Sequence, residues 1–216
     1  MGSFTSFSQT QYEFWPEING FIRLTDQFRF YLVSSYAKGK ESDVKTLDLA
    51  ANIDVSLIPI FRTKKWEEDW QRSRFFWVRV GYDYIFKQVS DTMSAPENRG
   101  MINIFAKVNL PADIWLEVRL RTDLRWIGGV YSTRYRMRIE ATREFAVFKH
   151  LVVPYLNCEV FYDTRYLWWS RILVMAGAEF TVNRHFRFEL YLAPQFDYLP
   201  ERTSLLAFGV VAKLYY

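Results

Sequence analysis

Two neighbouring segments of the sequence carry arginine at alternate or nearly alternate positions, and these are the residues with the clearest potential for chemistry. The six arginines are Arg119, Arg121, Arg125, Arg134, Arg136 and Arg138. Guanidinium groups in such rows can bind anions, pair with carboxylates or contact a nucleic-acid backbone. Between the last three stand Tyr135 and Met137. If the segment is a strand, one of its faces is therefore cationic and the other hydrophobic.

Five carboxylates share one parity in the three segments that follow the arginine rows, and they are candidates for acid–base chemistry or for charge pairing. They are Glu159, Asp163, Glu179, Glu189 and Asp197. Paired carboxylates inside a polar barrel more often fill the interior than catalyse a reaction. We therefore predict a basic wall, formed by the six arginines, and an acidic wall, formed by these five carboxylates. The summed field would run across the interior and favour a small anionic or zwitterionic solute.

Patterns typical of enzymes and metal sites are otherwise weak. Both histidines, His150 and His185, lie at predicted turns, and neither begins the His-x-Ser motif of the outer-membrane phospholipases. No spacing of histidines and carboxylates indicates a metal site, and no glycine-rich phosphate loop occurs. The single cysteine, Cys158, excludes an intrachain disulfide. We predict no catalytic residues, no metal, no cofactor and no enzymatic activity.

Nucleic acid is a poor match for the arginine rows. A stacking platform needs aromatic rings and cations on the same face, whereas Tyr135 and Met137 alternate with the arginines and so lie on the opposite face. The formal net charge of +4 is also modest. These two observations argue against a nucleic-acid partner.

The elements that must position these side chains are β-strands, because apolar residues recur at period two in eleven segments. Those segments are residues 12–24, 27–37, 47–57, 76–84, 100–109, 114–126, 130–145, 150–162, 167–182, 185–199 and 208–216. Residues 3–10 are a candidate twelfth strand. No linker divides the chain, so we predict one domain over residues 1–216.

The connections predict an up-and-down arrangement. Short turns are expected near residues 24–27, 110–113 and 182–185, and longer polar loops at 38–46 and 87–99. Short turns on one rim and longer loops on the other are typical of membrane barrels. The long segment 62–71 falls on the short-turn rim and is either a solvated loop or one helical turn that presents Trp66 and Trp70.

Strand length and charge favour a membrane over water. Most segments reach the roughly 9–11 residues that a membrane-spanning strand needs. Arginines that faced lipid on two strands would cost on the order of 10–20 kcal/mol in total, so in a membrane they must face the interior. Aromatic residues near strand ends suggest interfacial belts. These are Trp15, Tyr36, Trp126, Tyr131, Tyr162, Tyr166, Trp168, Trp169, Tyr198, Tyr215 and Tyr216.

Several stretches also resemble one family. The arginine row at 134–140, the segments 158–163 and 171–192, and an N-terminal hairpin over 14–36 are similar to uncharacterised bacterial outer-membrane barrels called domain of unknown function 2490. The terminal "FGVVAKLYY" resembles the C-terminal sorting strand of such barrels. The resemblance implies an outer-membrane β-barrel with no known activity.

The predicted fold class is therefore all-β, an up-and-down antiparallel transmembrane β-barrel of about 12 strands, within a range of 10–12. The predicted function is that of a bacterial outer-membrane barrel, either a narrow channel or a structural barrel with an arginine-rich lumen. The lipid bilayer is the predicted partner, and lipopolysaccharide is a further candidate. Two alternatives stay open: an outer-membrane enzyme acting on lipid, and a soluble β-barrel that binds an apolar ligand.

Overall fold

The chain folds almost entirely into β-strands. The computed structural model describes residues 10–39, 44–56, 74–89, 92–148, 150–199 and 202–216. Its strands are β1 (Gln11–Arg23), β2 (Phe28–Gly39), β3 (Val44–Ser56), β4 (Phe76–Val89), β5 (Thr92–Met93), β6 (Glu97–Leu110), β7 (Ile114–Ile127), β8 (Val130–Arg143), β9 (Phe145–Val147), β10 (His150–Asp163), β11 (Trp168–Thr181), β12 (Phe186–Asp197) and β13 (Thr203–Tyr215). In these residues no helix is long and apolar enough to cross a membrane.

The eleven long strands close into a barrel. Each pairs antiparallel with the next long strand along the chain, and β1 and β13 complete the ring as a parallel pair. In that closing pair Gln11 lies opposite Leu205 and Phe21 opposite Tyr215. Because every connection reverses the chain, an odd number of strands leaves the first and the last running in the same direction. The short strands β5 and β9 extend the sheet beside β4 and β10.

This architecture confirms the predicted β-barrel of 10–12 strands, with two differences. The preferred number of twelve rested on the even strand counts of bacterial barrels. Here eleven long strands close the ring, so the pairing is antiparallel everywhere except between β1 and β13. The candidate twelfth strand at 3–10 lies, apart from Thr10, outside the described residues. The segment 62–71 lies outside them as well.

We call the end of the barrel that holds the β1–β2, β6–β7 and β11–β12 connections the turn rim. The loop rim is the opposite end, which holds the β2–β3, β4–β6, β7–β8 and β10–β11 connections. The predicted contrast in connection length between the rims is not strict. The loop at 87–99 is shortened because β4 runs to Val89 and β6 begins at Glu97. On the same rim, Gly128 and Gly129 form a two-residue turn with φ of 55° and 85°, which suits glycine.

The two faces of the barrel wall differ sharply in character. Side chains such as Ile18, Leu120 and Leu156 point outward and are 56%, 49% and 57% exposed. On the inner face, charged residues such as Asp123 and Glu159 are buried. The alternation predicted from sequence therefore places hydrocarbon outside and charge inside.

Part of the interior is hydrophobic. Phe161, Leu173, Tyr191, Leu205 and their neighbours form a buried cluster on the β10–β13 side. Across the barrel, Trp77 stacks on Phe105 with ring centroids 4.6 Å apart. These side chains fill space that the charged residues leave open.

Candidate functional site

A cavity of about 450 Å³ lies inside the barrel, and all eleven long strands contribute to its lining. It reaches the turn rim, where Trp115, Glu144 and Tyr215 line it. Among the described residues, nine acidic and nine basic side chains line the cavity, so their formal charges cancel. The acids are Glu17, Asp48, Asp83, Glu117, Glu140, Glu144, Glu159, Glu179 and Glu189, and the bases are Arg79, Arg99, Lys107, Arg119, Arg121, Arg136, Arg138, Arg187 and Lys213.

Two buried carboxylates organise the arginine rows of β7 and β8. Asp123 accepts a hydrogen bond from Arg121 and lies 2.9 Å from a terminal nitrogen of Arg134. Glu159 of β10 accepts hydrogen bonds of 2.7 Å from both Arg119 and Arg136, through the same oxygen. Each carboxylate thus holds two guanidinium groups, and the arginines of neighbouring strands are tied together despite their like charge.

A second set of ion pairs lies nearer the loop rim. Arg125 donates to Glu97 at 2.6 Å and to Asp163 at 2.9 Å, so it links β6 to β10 across the intervening strands. Asp163 also accepts from Arg165 in the β10–β11 turn at 2.7 Å. These hydrogen bonds raise the pKa of the Arg165 guanidinium above its ordinary value. These ion pairs connect β6, β7, β10 and the β10–β11 turn at one side of the loop rim.

All six residues of the predicted basic wall are ion-paired to carboxylates. Arg119, Arg121, Arg136 and Arg138 line the cavity, whereas Arg125 and Arg134 lie beyond its lining, toward the loop rim. Arg138 approaches Glu117 at 3.2 Å and Glu140 at 3.7 Å. The guanidinium groups therefore meet protein carboxylates inside the barrel.

The five residues of the predicted acidic wall do not lie together opposite the arginines. Glu159 and Asp163 belong to the arginine network itself. Glu179 lies 2.7 Å from Lys213 and 3.2 Å from Arg187, and Glu189 also pairs with Lys213. Asp197 pairs with Arg171. Because each carboxylate has a cation beside it, positive and negative groups are interleaved around the barrel rather than separated into two walls.

Sequence reasoning did not select several of the residues that hold this network. Asp83 lies 3.3 Å from Arg99 and 3.1 Å from Arg121, and Asp123 and Glu97 are described above. In β3 the fully buried Asp54 bonds Arg29 and Arg79. For Asp54, Asp83 and Asp123 the signal was present in the alternation, because they share the polar parity of their predicted segments, whereas Glu97 lies in the predicted loop at 87–99. The position of a residue in the alternation shows which face of the strand it occupies. It does not show how far along the barrel axis its ion-pair partner on another strand lies.

The aromatic prediction needs two corrections. Trp15 and Tyr215 line the cavity instead of lying in an outer belt. Both residues alternate in step with the inward-facing residues of their strands. The prediction considered only that they lie near strand ends, and so it did not use this information. By contrast, Tyr131, Trp168 and Trp169 are exposed by 54%, 63% and 53% near the loop rim.

Both histidines lie at the turn rim and contact backbone carbonyl oxygens. His185 Nδ1 is 2.8 Å from the oxygen of Tyr215, and His150 Nδ1 is 3.4 Å from that of Thr181. In the part of the chain that the structure describes, no group of three histidine, cysteine or carboxylate side chains is arranged to hold a metal ion.

The model of a family described as "Protein of unknown function (DUF2490)" matches residues 12–205. No curated protein matches the chain.

Proposed function

We propose that this chain, which belongs to the family of proteins of unknown function DUF2490, is a β-barrel of the bacterial outer membrane whose interior is closed to free ion flow. In this proposal the outer face contacts lipid, and the turn rim opens onto the charged cavity. The barrel is then structural or binds solutes, and it does not act as an open pore.

The observation that carries the proposal is the separation of hydrocarbon and charge across the barrel wall. Ile18, Leu120 and Leu156 stand near mid-strand with about half of their surface exposed. Large contiguous apolar surfaces are rare on soluble monomers, and they mark surfaces that contact other hydrophobic material. Lipid tails are the natural covering for an apolar band that encircles a barrel.

Strand length and aromatic placement support the same location. The long strands have 12–14 residues, which exceeds the roughly 9–11 that a tilted membrane-spanning strand needs. Exposed rings such as Trp168 and Trp169 lie at the loop rim, and amphipathic rings prefer the level of lipid head groups.

The charge network supports a closed interior. Arg125 and Asp163 pair near the loop rim, and the Phe161 ring lies beneath the guanidinium groups of Arg134, Arg136 and Arg171, at 5.6, 4.5 and 5.5 Å. Phe161 itself also belongs to the apolar cluster of β10–β13. Ion pairs and packed aromatic rings therefore occupy the same levels along the barrel axis.

The other candidate functions have less support. A soluble barrel that binds an apolar ligand would need an apolar cavity, but eighteen charged side chains line this one. A lipid-modifying enzyme would need a polar cluster at the lipid boundary. Tyr155 donates a hydrogen bond to Glu189, but this hydroxyl–carboxylate pair lies inside the cavity.

Cys158 provides a direct test of the membrane location. It is the chain's single cysteine, and it is exposed near the middle of β10. In reconstituted vesicles we expect its thiol to react with a neutral maleimide and to resist a charged, water-soluble one. A fluorophore on it should be quenched by lipids brominated in mid-chain.

The matched control moves the thiol to the turn rim by combining Cys158→Ser with Arg184→Cys. Arg184 is exposed in the β11–β12 turn, so both reagents should label the variant. Labelling of Cys158 by the charged reagent in vesicles as fast as that of the Arg184→Cys variant would refute the membrane proposal.

A further inference from the structure

The arginines of β7 and β8 that line the cavity lie opposite one another across the strand pair. Arg119 is opposite Arg138, and Arg121 is opposite Arg136. We call these four residues the arginine patch. Like charges directly opposite each other destabilise a sheet, so the patch needs negative charge close by.

The protein supplies less negative charge than the arginine patch and its neighbours require. Among the described residues, Arg119, Arg121 and Arg136 belong to one connected network of ion pairs, in which seven arginines share five carboxylates, so that two positive charges are in excess. The arginines are Arg99, Arg119, Arg121, Arg125, Arg134, Arg136 and Arg165, and the carboxylates are Asp83, Glu97, Asp123, Glu159 and Asp163. Glu17 and Asp48, which help to make the cavity neutral as a whole, lie on β1 and β3.

Three arginines of the patch keep a terminal nitrogen free toward the cavity. Arg121 bonds carboxylates through Nε and Nη2, so its Nη1 has no hydrogen-bond partner. Arg119 bonds Glu159 through Nη2, which leaves Nη1, and Arg136 bonds the same carboxylate through Nε, which leaves Nη2. Among the described residues, the buried nitrogens without a partner do not include these three, so solvent can reach them. A ligand in the cavity can therefore accept hydrogen bonds from them.

Lys107 of β6 adds an ammonium group beside the arginine patch. It lines the cavity near the turn rim, where its Nζ lies 5.4 Å from the centroid of the Trp115 ring. No carboxylate of the described residues lies within ion-pair distance of Lys107. Arg138 pairs with Glu117 and Glu140, and Lys107 lies opposite Glu117 in the sheet. The charges of these four residues cancel, so the positive excess of the larger network remains.

Free donors and excess positive charge suit a ligand with several acceptor oxygens and more than one negative charge. We propose that the arginine patch binds the phosphate group of a small solute that enters from the turn rim past Lys107. A phosphate ester brings three strong acceptor oxygens and a charge of about −1.5 to −2 at pH 7, and guanidinium groups match the geometry of phosphate. The cavity of about 450 Å³ is within the range of about 300–1,000 Å³ that small-molecule sites occupy. The inference rests on the solute-binding form of the proposed function, and it does not depend on membrane location.

Calorimetric titration of the full chain with inorganic phosphate, in a nonionic detergent, measures binding directly. We expect saturable binding that weakens with added sodium chloride, because salt screens the charges. Glycerol 3-phosphate is the second probe. If it binds at least as tightly as inorganic phosphate, the ligand is a small phosphate ester, and weaker binding identifies the free ion as the ligand.

Substitutions at the cavity wall locate the site. Arg121→Lys keeps a positive charge beside Asp83 and Asp123 but removes the free nitrogen, and Lys107→Met removes the ammonium group. Each should reduce phosphate affinity about tenfold or more, the loss expected for a hydrogen bond between charged groups. Lys45→Met is the matched control, because Lys45 is exposed on β3 and lies outside the cavity lining. It should bind phosphate as the unmodified chain does.

Melting temperatures separate loss of binding from loss of folding. Without ligand, Lys107→Met should melt as the unmodified chain does, because no carboxylate of the described residues loses an ion-pair partner. Added phosphate should raise the melting temperature of the unmodified chain and of Lys45→Met more than that of Lys107→Met. The absence of saturable phosphate binding, or equal affinity in Lys107→Met and the unmodified chain, would overturn the inference. Neither result would affect the labelling pattern of Cys158, so failure here is distinct from failure of the membrane proposal.

Discussion

The ring of Tyr191 lies directly over Gly209 inside the barrel. A Cβ atom on Gly209 would come within 2.0 Å of the Tyr191 ring carbon Cζ. The two residues are opposite each other on β12 and β13, and Tyr191 is buried in the apolar cluster. The glycine therefore provides the space into which a large ring packs against bare backbone.

Gly209→Ala should lower the free energy of unfolding by about 1–3 kcal/mol, the usual cost of overpacking a core. The displaced ring cannot move outward, because it is held in the cluster. Equilibrium urea unfolding in lipid vesicles measures the change. Gly20→Ala is the matched control, since the nearest atom to its new Cβ, Leu32 Cβ, lies 3.8 Å away. Equal effects at the two glycines would contradict the packing described here.

Glu159→Gln should be strongly destabilising, by about 3–5 kcal/mol, because it leaves Arg119 and Arg136, whose side chains are only 13% and 14% exposed, without their shared carboxylate. The same unfolding measurement applies. An exposed pair gives the comparison: Asp26→Asn removes the partner of Arg23, where the side chains are 65% and 41% exposed. That change should cost about 1 kcal/mol or less. A small effect at Glu159 would show that the interior is well hydrated.

Leu120→Arg distinguishes lipid from water at the outer face. Leu120 is half exposed near the middle of β7, and in a bilayer an arginine there should cost about 2–4 kcal/mol. Val130→Arg, at the loop rim, should cost about 0–1 kcal/mol because the interface is polar. Unfolding in vesicles would give the two values. If Leu120→Arg had no effect there, that face would be in contact with water.

Phe161→Ala should open the interior. In planar bilayers we expect no stepwise conductance from the unmodified chain and measurable conductance from the variant, because the ring lies where the arginine network meets the apolar cluster. Phe208→Ala removes a ring of the same size from the outer face, where Phe208 is 44% exposed, and should leave the barrel closed. Steady conductance from the unmodified chain would instead identify an open pore.

Periodicity in the sequence was sufficient to predict the strands, since each of the eleven predicted segments overlaps one long strand, although several strands extend beyond the predicted bounds. It could not predict the parallel closure of β1 on β13, because alternation describes each strand alone and carries no information on which strands meet. The same limit applies to the site. Glu159 was identified as an interior acid, but its bond to Arg119, two strands away, depends on register and tilt. Trp15 was wrongly assigned to the outer aromatic belt because it lies near a strand end. Its position two residues from the inward-facing Glu17 would have placed it on the inner face.

The β1–β13 pairing also has a consequence for how the barrel forms. Gln11 and Leu205 are 194 positions apart in sequence, so the contact that completes the ring is among the most distant in the chain, and such contacts form slowly. Until they form, the curved sheet has two open edges whose backbone groups can pair with another chain. The moment before closure is therefore when this protein is most exposed to misassembly. A peptide with the sequence of β13 should compete for the free edge of β1 during refolding and have no effect once the ring has closed.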